Sequence, residues 1–222
     1  MADESDNPPF PVGRASNIAT QAAWMHHAET TALWTSGMPL PLKVQAALRT
    51  QQVPSLTVSS VIIPAGKTQS GLLVKSTSTV WDEVVKELGA DWTVAYKIPP
   101  ERREEIVAGA FKKAGYDEVI LTPRSGDYGR DVIATKHGVG CVKILGSVKA
   151  HAPDHLVPYD AVRALIGVIT GEQNTSKGII TTTSDFPPRI ESDINIKPFL
   201  PTRLELINGA KLQKWLEDLS KS

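Results

Sequence analysis

TPRSGDYGRDVIATKHGVGCVKILGSVKA, residues 122–150, is the stretch on which the fold turns. It opens with two acids, Asp127 and Asp131, and two arginines, Arg124 and Arg130, in a glycine-hinged turn. The apolar run Val132-Ile133-Ala134 follows, then His137-Gly138, then a second alternating run. Residues 131–136 and 140–150 therefore predict a β-hairpin turning near His137-Gly138. In its second strand Val142, Ile144 and Val148 point one way, toward the core, and Lys143, Leu145, Ser147 and Lys149 point the other. Paired in this way, the hairpin sets Asp131 beside Lys149 at one rim of a sheet. A solvated turn needs Gly and Asp, but it does not need this density of both charges.

The flanks are regular. Upstream, STSTVWDEVVKELG (residues 76–89) predicts a helix capped by Ser78 or Thr79 and stopped by Gly89. ERREEIVAGAFKKAG (residues 101–115) carries an apolar stripe of Ile106, Val107, Ala110, Phe111 and Ala114, and Gly115 ends it. Residues 118–123 predict a strand. Downstream, YDAVRALIGVITGE (residues 159–172) is an apolar helix, either laid across the sheet or forming a dimer seam, with the core reading favoured. GIITTT (residues 178–183) and LELI (residues 204–207) predict strands. Asn208-Gly209 opens a last helix with Leu212, Trp215, Leu216 and Leu219 on one face. From residue 101 the order is helix, three strands, helix, two strands, helix. That order implies an α/β or α+β domain with a mixed central sheet flanked by helices.

Residues 1–14 predict a disordered arm, rich in proline and acid. Residues 15–34 could hold a helix, and residues 56–63 and 71–76 predict strands among scattered prolines. Residues 1–78 thus form a small irregular accessory region of no assigned function, and residues 79–222 the main domain.

Composition narrows the class. Of 222 residues, 41% are hydrophobic and 22% charged, as in soluble globular proteins. Lys plus Arg equals Asp plus Glu at 24 each, so any basic surface must be local. Arg124, Arg130, Lys136, Lys143 and Lys149 gather around the turn and hairpin. They suit a grip on a phosphate backbone and a solvated strand face equally well. No apolar run approaches the ~20 residues that span a bilayer, so no membrane partner is expected. The first residues do not read as a signal peptide, and the single cysteine, Cys141, excludes an internal disulfide. Its apolar neighbours predict a buried thiol. A cytoplasmic location follows.

Two further motifs carry weaker signals. His151 and His155 have HxxxH spacing, but Pro153 between them breaks a helix and no third ligand is near, which argues against zinc. His151, two residues after Lys149, suits a phosphate contact or an exposed loop. Residues 181–186 are rich in hydroxyls but lack a Ser-His-Asp order.

The Asp131 and Lys149 pair has a chemical use. A carboxylate at a strand start can hold Mg²⁺, and a nearby ammonium can orient a water and offset charge on a phosphate. The alternative is a surface ion pair worth ~0–1 kcal/mol.

Residues from about 98 to 219 resemble the catalytic domain of the Mrr-like type IV restriction endonucleases, a branch of the PD-(D/E)XK nuclease fold. EEIVAGAFKKAGY resembles the first helix of that family, TPRSGDYGRDVIA its "sGDgGiDvia" turn, and GSVKA its "QaK" or "ExK" strand. KGIITTTSDF resembles its "kGiivTts.F" strand, and LELINGAKLQKWL its closing "LidG..L" segment. The resemblance implies a DNA endonuclease dependent on Mg²⁺, with Mn²⁺ as a substitute, acting in defence against foreign or modified DNA. It implies Asp131 as metal-binding acid, Lys149 as catalytic lysine, Glu105 as the helix glutamate near the metal, and Asp127 as a supporting acid. Gly126 and Gly129 match glycines that bend the backbone beside the phosphate. Arg124, Arg130, Lys136 and His151 are candidate nucleic-acid contacts. A homodimer or higher homo-oligomer is expected, because cutting both strands takes two sites. One position departs: Ser147 stands where the family has Gln or Glu. Three outcomes follow: Glu105 supplies the second charge, Glu172 is recruited, or the domain is a weak or inactive nuclease that binds nucleic acid or a partner.

Overall fold

A computed structural model of the chain describes residues 59–123 and 129–221, all within one unit spanning Gln51–Ser222. Seven strands make one sheet whose spatial order equals their chain order. They are β1 (Ile62–Thr68), β2 (Gly71–Thr77), β3 (Glu118–Leu121), β4 (Val132–Lys136), β5 (Val142–Lys149), β6 (Lys177–Thr182) and β7 (Leu204–Ile207). Strands β1 to β5 are antiparallel to their neighbours, and β5–β6 and β6–β7 are parallel. The parallel step requires a crossover, which the helix after β5 provides.

Helices α1 (Thr79–Ala90), α2 (Pro100–Lys113) and α4 (Gly209–Lys221) share one apolar cluster with Ile144 and Val132. Helix α3 (Tyr159–Gly171) buries Val162, Leu165 and Ile169 against Leu145, Ile133 and Ile180 on the other side. Both sheet faces are therefore core. Among the described residues no helix is long and apolar enough to cross a membrane.

Local chemistry explains the helix ends. Pro99 sits extended before α2 and Pro100 takes its first turn, where a missing N–H costs nothing. Gly115 follows with φ +83°, a conformation that stops a helix. Asn208 caps α4, its Oδ1 accepting from Lys211 N–H at 3.1 Å.

Several expectations are corrected. Ser78 holds the N-cap position of α1, but its hydroxyl donates to the Ser60 carbonyl at 3.1 Å instead of capping the helix. The first described strand is Ile62–Thr68, shifted toward the C-terminus of the expected one, and it contains Pro64. It lies at the sheet edge, where proline is tolerated, and its register shifts on both sides of Pro64. The sheet thus begins upstream of residue 79. Cys141 is exposed. The reason is the turn: Lys136 pairs with Val142, so residues 137–141 form the loop and the cysteine never enters the strand. Val142, at the hairpin end, is exposed as well. The apolar helix α3 is one-sided, with Arg163, Ala164, Gly167 and Thr170 facing out. The expected helix at residues 15–34 and the arm before it lie outside the described residues.

Candidate active site

The β4–β5 ladder ends at the pair Val132 and Gly146. Asp131 is the next residue, and it takes over where the ladder stops. Its N–H donates to the Gly146 carbonyl at 2.8 Å. Its Oδ2 accepts from the Val148 N–H at 2.5 Å and from the Ser147 hydroxyl at 3.4 Å. The carboxylate does the work of a backbone carbonyl and is held at the strand end. This corrects the expected register: Asp131 meets Ser147 and Val148, and Lys149 lies one residue further on.

Ser147 is buried, at 1% exposure, and its carbonyl accepts from the Thr181 hydroxyl at 3.5 Å. The place expected to hold a Gln or Glu is thus a closed, hydrogen-bonded position between β4 and β6.

Lys149 ends β5, half-buried. Among the described residues it forms no ion pair. Just beyond it, the His151 carbonyl accepts from the Thr183 hydroxyl at 2.7 Å, and the same hydroxyl oxygen accepts from the His151 N–H at 3.3 Å. The Thr183 carbonyl accepts from Trp92 Nε1 at 3.1 Å. Its oxygen lies 2.4 Å from where a Cβ on Gly209 would sit, so only glycine lets α4 begin there. The chain end carrying Lys149 and His151 is thereby fastened to β6 and, through β6, to Trp92. The His151 imidazole has its pKa lowered, first by burial and then by His155, Lys149 and Arg103.

The other expected site residues are placed differently. Glu105 Oε2 accepts from the Ser60 hydroxyl at 3.0 Å and the Val61 N–H at 3.1 Å, and pairs with Arg102. It ties α2 to the chain entering β1, and it lines a groove of about 420 Å³ with Glu101 and Glu104. Glu172 follows α3, and its carboxylate pairs with Arg130 and, at 2.6 Å, with Lys143. Glu172 and Arg130 are thus engaged with each other between α3 and the turn before β4. Burial and the Arg130 charge lower the Lys143 pKa. Lys136 is exposed at the hairpin end of β4. Five residues of strand carry it about 17 Å from Asp131. Arg124, Gly126 and Asp127 lie outside the described residues.

Arg103 was missed by sequence reading. It sits in the charged run ERREE, which suggests only a solvated helix start. In the fold it lines one small cavity with Lys149, Trp92 and Thr183.

Among the described residues no group of three or more His, Cys, Asp or Glu side chains could hold a metal ion. The Asp131 carboxylate and the Ser147 hydroxyl nonetheless offer only oxygen donors, a set that suits a hard cation completing its shell with water.

A family model described as restriction endonuclease, the Mrr catalytic family, matches residues 95–216. No curated protein matches the chain. Among solved structures, the MspJI restriction endonuclease in complex with a 27-mer oligonucleotide is 18% identical, with a TM-score of 0.43 over 65% of this chain and 35% of that one. The DNA modification-dependent restriction endonuclease AspBHI is 19% identical, with a TM-score of 0.45 over 64% of this chain and 36% of that one. The chain spans about a third of the length of these two.

Proposed function

The chain belongs to the Mrr restriction-endonuclease family, and from that premise we propose that it is a divalent-metal-dependent endodeoxyribonuclease acting on foreign or modified DNA. The observation that carries this reading is the Asp131 carboxylate fixed at the end of β4, one residue along β5 from a lysine with no ion pair among the described residues. Asp131 would hold Mg²⁺, or Mn²⁺ in its place, with Glu105 as second carboxylate through the oxygen that its hydrogen bonds leave open. The cation, when bound, supplies neutralising charge to the phosphate and lowers the pKa of a water.

The chain's own groups do the rest. Val148 and Ser147 fix the Asp131 carboxylate, so no reorganisation is needed when substrate arrives. Lys149 orients the attacking water through a hydrogen bond and offsets the negative charge that develops on the phosphate. Residues 1–50, outside the unit that holds the sheet, would supply target recognition or assembly. A homodimer would bring two such sites to the two strands, in the cytoplasm.

A second reading has its own support. Ser147 is buried and neutral, and Glu105 is already engaged by three donors. Both facts favour a degenerate module that binds nucleic acid or a partner without cutting. Cleavage of supercoiled plasmid DNA, methylated and unmethylated, separates the two. The enzyme reading expects Mg²⁺-dependent nicking or linearisation that is lost in both Asp131→Ala and Lys149→Ala. Binding without cutting under every condition supports the module.

A further inference from the structure

Glu172 closes α3, where its backbone N–H donates to the Val168 carbonyl at 2.9 Å. Two cations share its carboxylate. Oε1 meets Lys143 on β5 at 2.6 Å. Oε2 meets Arg130, the residue directly before Asp131. The three side chains are only 21% to 26% exposed, so solvent screens these contacts less than it would at an open surface.

The Lys143 end of this chain of contacts is anchored in the sheet. Lys143 pairs with Thr135 across the β4–β5 ladder. Its N–H donates to the Ser176 hydroxyl at 3.0 Å, and its carbonyl accepts from the Ser176 N–H at 2.8 Å. The segment after α3 is thereby laced to β5, and Glu172 stands at a fixed place beside it. The Arg130 end lies where the chain enters the sheet. Gly129 before it sits at φ +81°, and the ladder pairs begin only at Val132. The Arg130 carbonyl accepts from the Thr122 hydroxyl at 2.5 Å. Its guanidinium meets Glu172, while Nε is buried with no hydrogen bond among the described residues. Arg130 is thus held from two sides, by the end of β3 through its backbone and by the end of α3 through its side chain. Asp131 follows, with its carboxylate on Val148 and Ser147.

We propose that Glu172 is a positioning residue for Asp131 and acts through Arg130. The assignment deepens the nuclease reading of the same strand end, and its first test does not depend on cutting. Glu172 is engaged by two cations at a distance from the reacting atoms; its charge fixes the residue that carries Asp131 into the sheet. Glutamine in its place leaves Arg130 and Lys143 with no anion between them, and like charges in a partly buried place move apart. Lys143 is held in the ladder, so Arg130 shifts, and the shift reaches Asp131 within one residue. Two rivals exist: an ion pair that only adds stability, and a carboxylate that withholds Arg130 from DNA.

The test is amide hydrogen exchange on the full chain in EDTA, read by NMR at the Val148 N–H that Asp131 accepts. Glu172→Gln is expected to speed exchange at Val148 about tenfold while the ladder amides of Ile133 and Leu145 keep their wild-type rates. Arg130→Gln is expected to do the same, and the double variant to add nothing further. In plasmid cleavage with Mg²⁺, Glu172→Gln is expected to lose about tenfold in kcat with KM for DNA within about twofold of wild type. Unchanged exchange at Val148 in a folded Glu172→Gln, or in Arg130→Gln if the first variant is unfolded, overturns the assignment. Equal quickening at Val148 and in the ladder overturns it in favour of a purely stabilising pair. Tighter DNA binding by Glu172→Gln with Val148 unchanged overturns it in favour of a carboxylate that withholds Arg130. A wild type that cuts no DNA overturns the nuclease reading alone, and the exchange rates still decide the role of Glu172.

Discussion

The backbone N–H of Val148 donates to Oδ2 of Asp131 at 2.5 Å, where the β4–β5 ladder has already ended. A side chain here stands in for a strand. The relationship makes separable predictions for two substitutions. Asp131→Asn keeps an oxygen that can accept from Val148 but loses the charge. It should fold nearly as wild type and lose at least about a hundredfold in cleavage rate, as expected for removing a charge that acts in the transition state. Asp131→Ala leaves the Val148 N–H without its acceptor and should cost about 1–3 kcal/mol as well. Urea unfolding of both variants beside plasmid cleavage reads the difference. An alanine variant as stable as the asparagine one would mean the hydrogen bond does not matter to the fold.

Ser147 offers a second test, because its hydroxyl meets the same carboxylate oxygen. Ser147→Glu places a larger acid in a buried position beside Asp131. Overpacking costs typically about 1–3 kcal/mol, and two neighbouring carboxylates repel. The variant should melt below wild type in EDTA. Mg²⁺ binding the native state would then stabilise it by mass action. Its melting temperature should rise more on adding Mg²⁺ than that of wild type. An equal rise in both proteins would mean that position 147 does not face the cation.

The element order was legible because the apolar patterns are distinct here. The continuous run Val132-Ile133-Ala134 reflects a strand packed on both faces, and the helical stripe of Ile106, Val107, Ala110 and Phe111 a helix packed on one. Asp131 was legible because the turn before it is distinctive. Register was not, since the alternation allows any shift by two, and Asp131 falls opposite Ser147, two residues short of Lys149, for that reason. The exposure of Cys141 depended on loop length, which the glycines at 138 and 140 set through positive φ. Arg103 and the Glu172 pairings depend on side chains meeting across distant segments, and no local pattern encodes that. Glu105 shows both sides: its helix was legible, while its bond to Val61, 44 residues away, was not.

A glycine inside α2 carries a reason that only the fold supplies. Alanine at position 109 would ordinarily favour the helix by ~1 kcal/mol. A Cβ there would lie 2.5 Å from Nε1 of Trp81, which itself donates to the Ile106 carbonyl at 3.0 Å. Trp81 is fully buried and has no room to withdraw. Gly109→Ala should therefore destabilise, by about 1–3 kcal/mol, through overpacking and loss of the indole hydrogen bond. Chemical unfolding decides it, and a more stable variant would show that Trp81 repacks freely.

His151 makes the acid side of the stability profile informative. Its folded pKa lies below the ordinary 6.5 because burial and the Lys149, Arg103 and His155 charges oppose protonation. Well above pH 6.5 the residue is neutral in both states and contributes nothing to the pH dependence. As pH falls through 6.5 the unfolded histidine takes up a proton that the folded one refuses. The unfolded state then binds more protons, so stability falls with pH until the folded value is passed and then levels. Wild type should lose more stability than His151→Gln between about pH 7 and 5. A phosphate against the imidazole reverses the balance, because an opposite charge favours the protonated form. Duplex DNA should therefore raise the melting temperature more at the acidic end than at neutral pH, and His151→Gln should abolish part of that gain. Equal DNA stabilisation at both pH values in wild type would place the backbone phosphate away from His151.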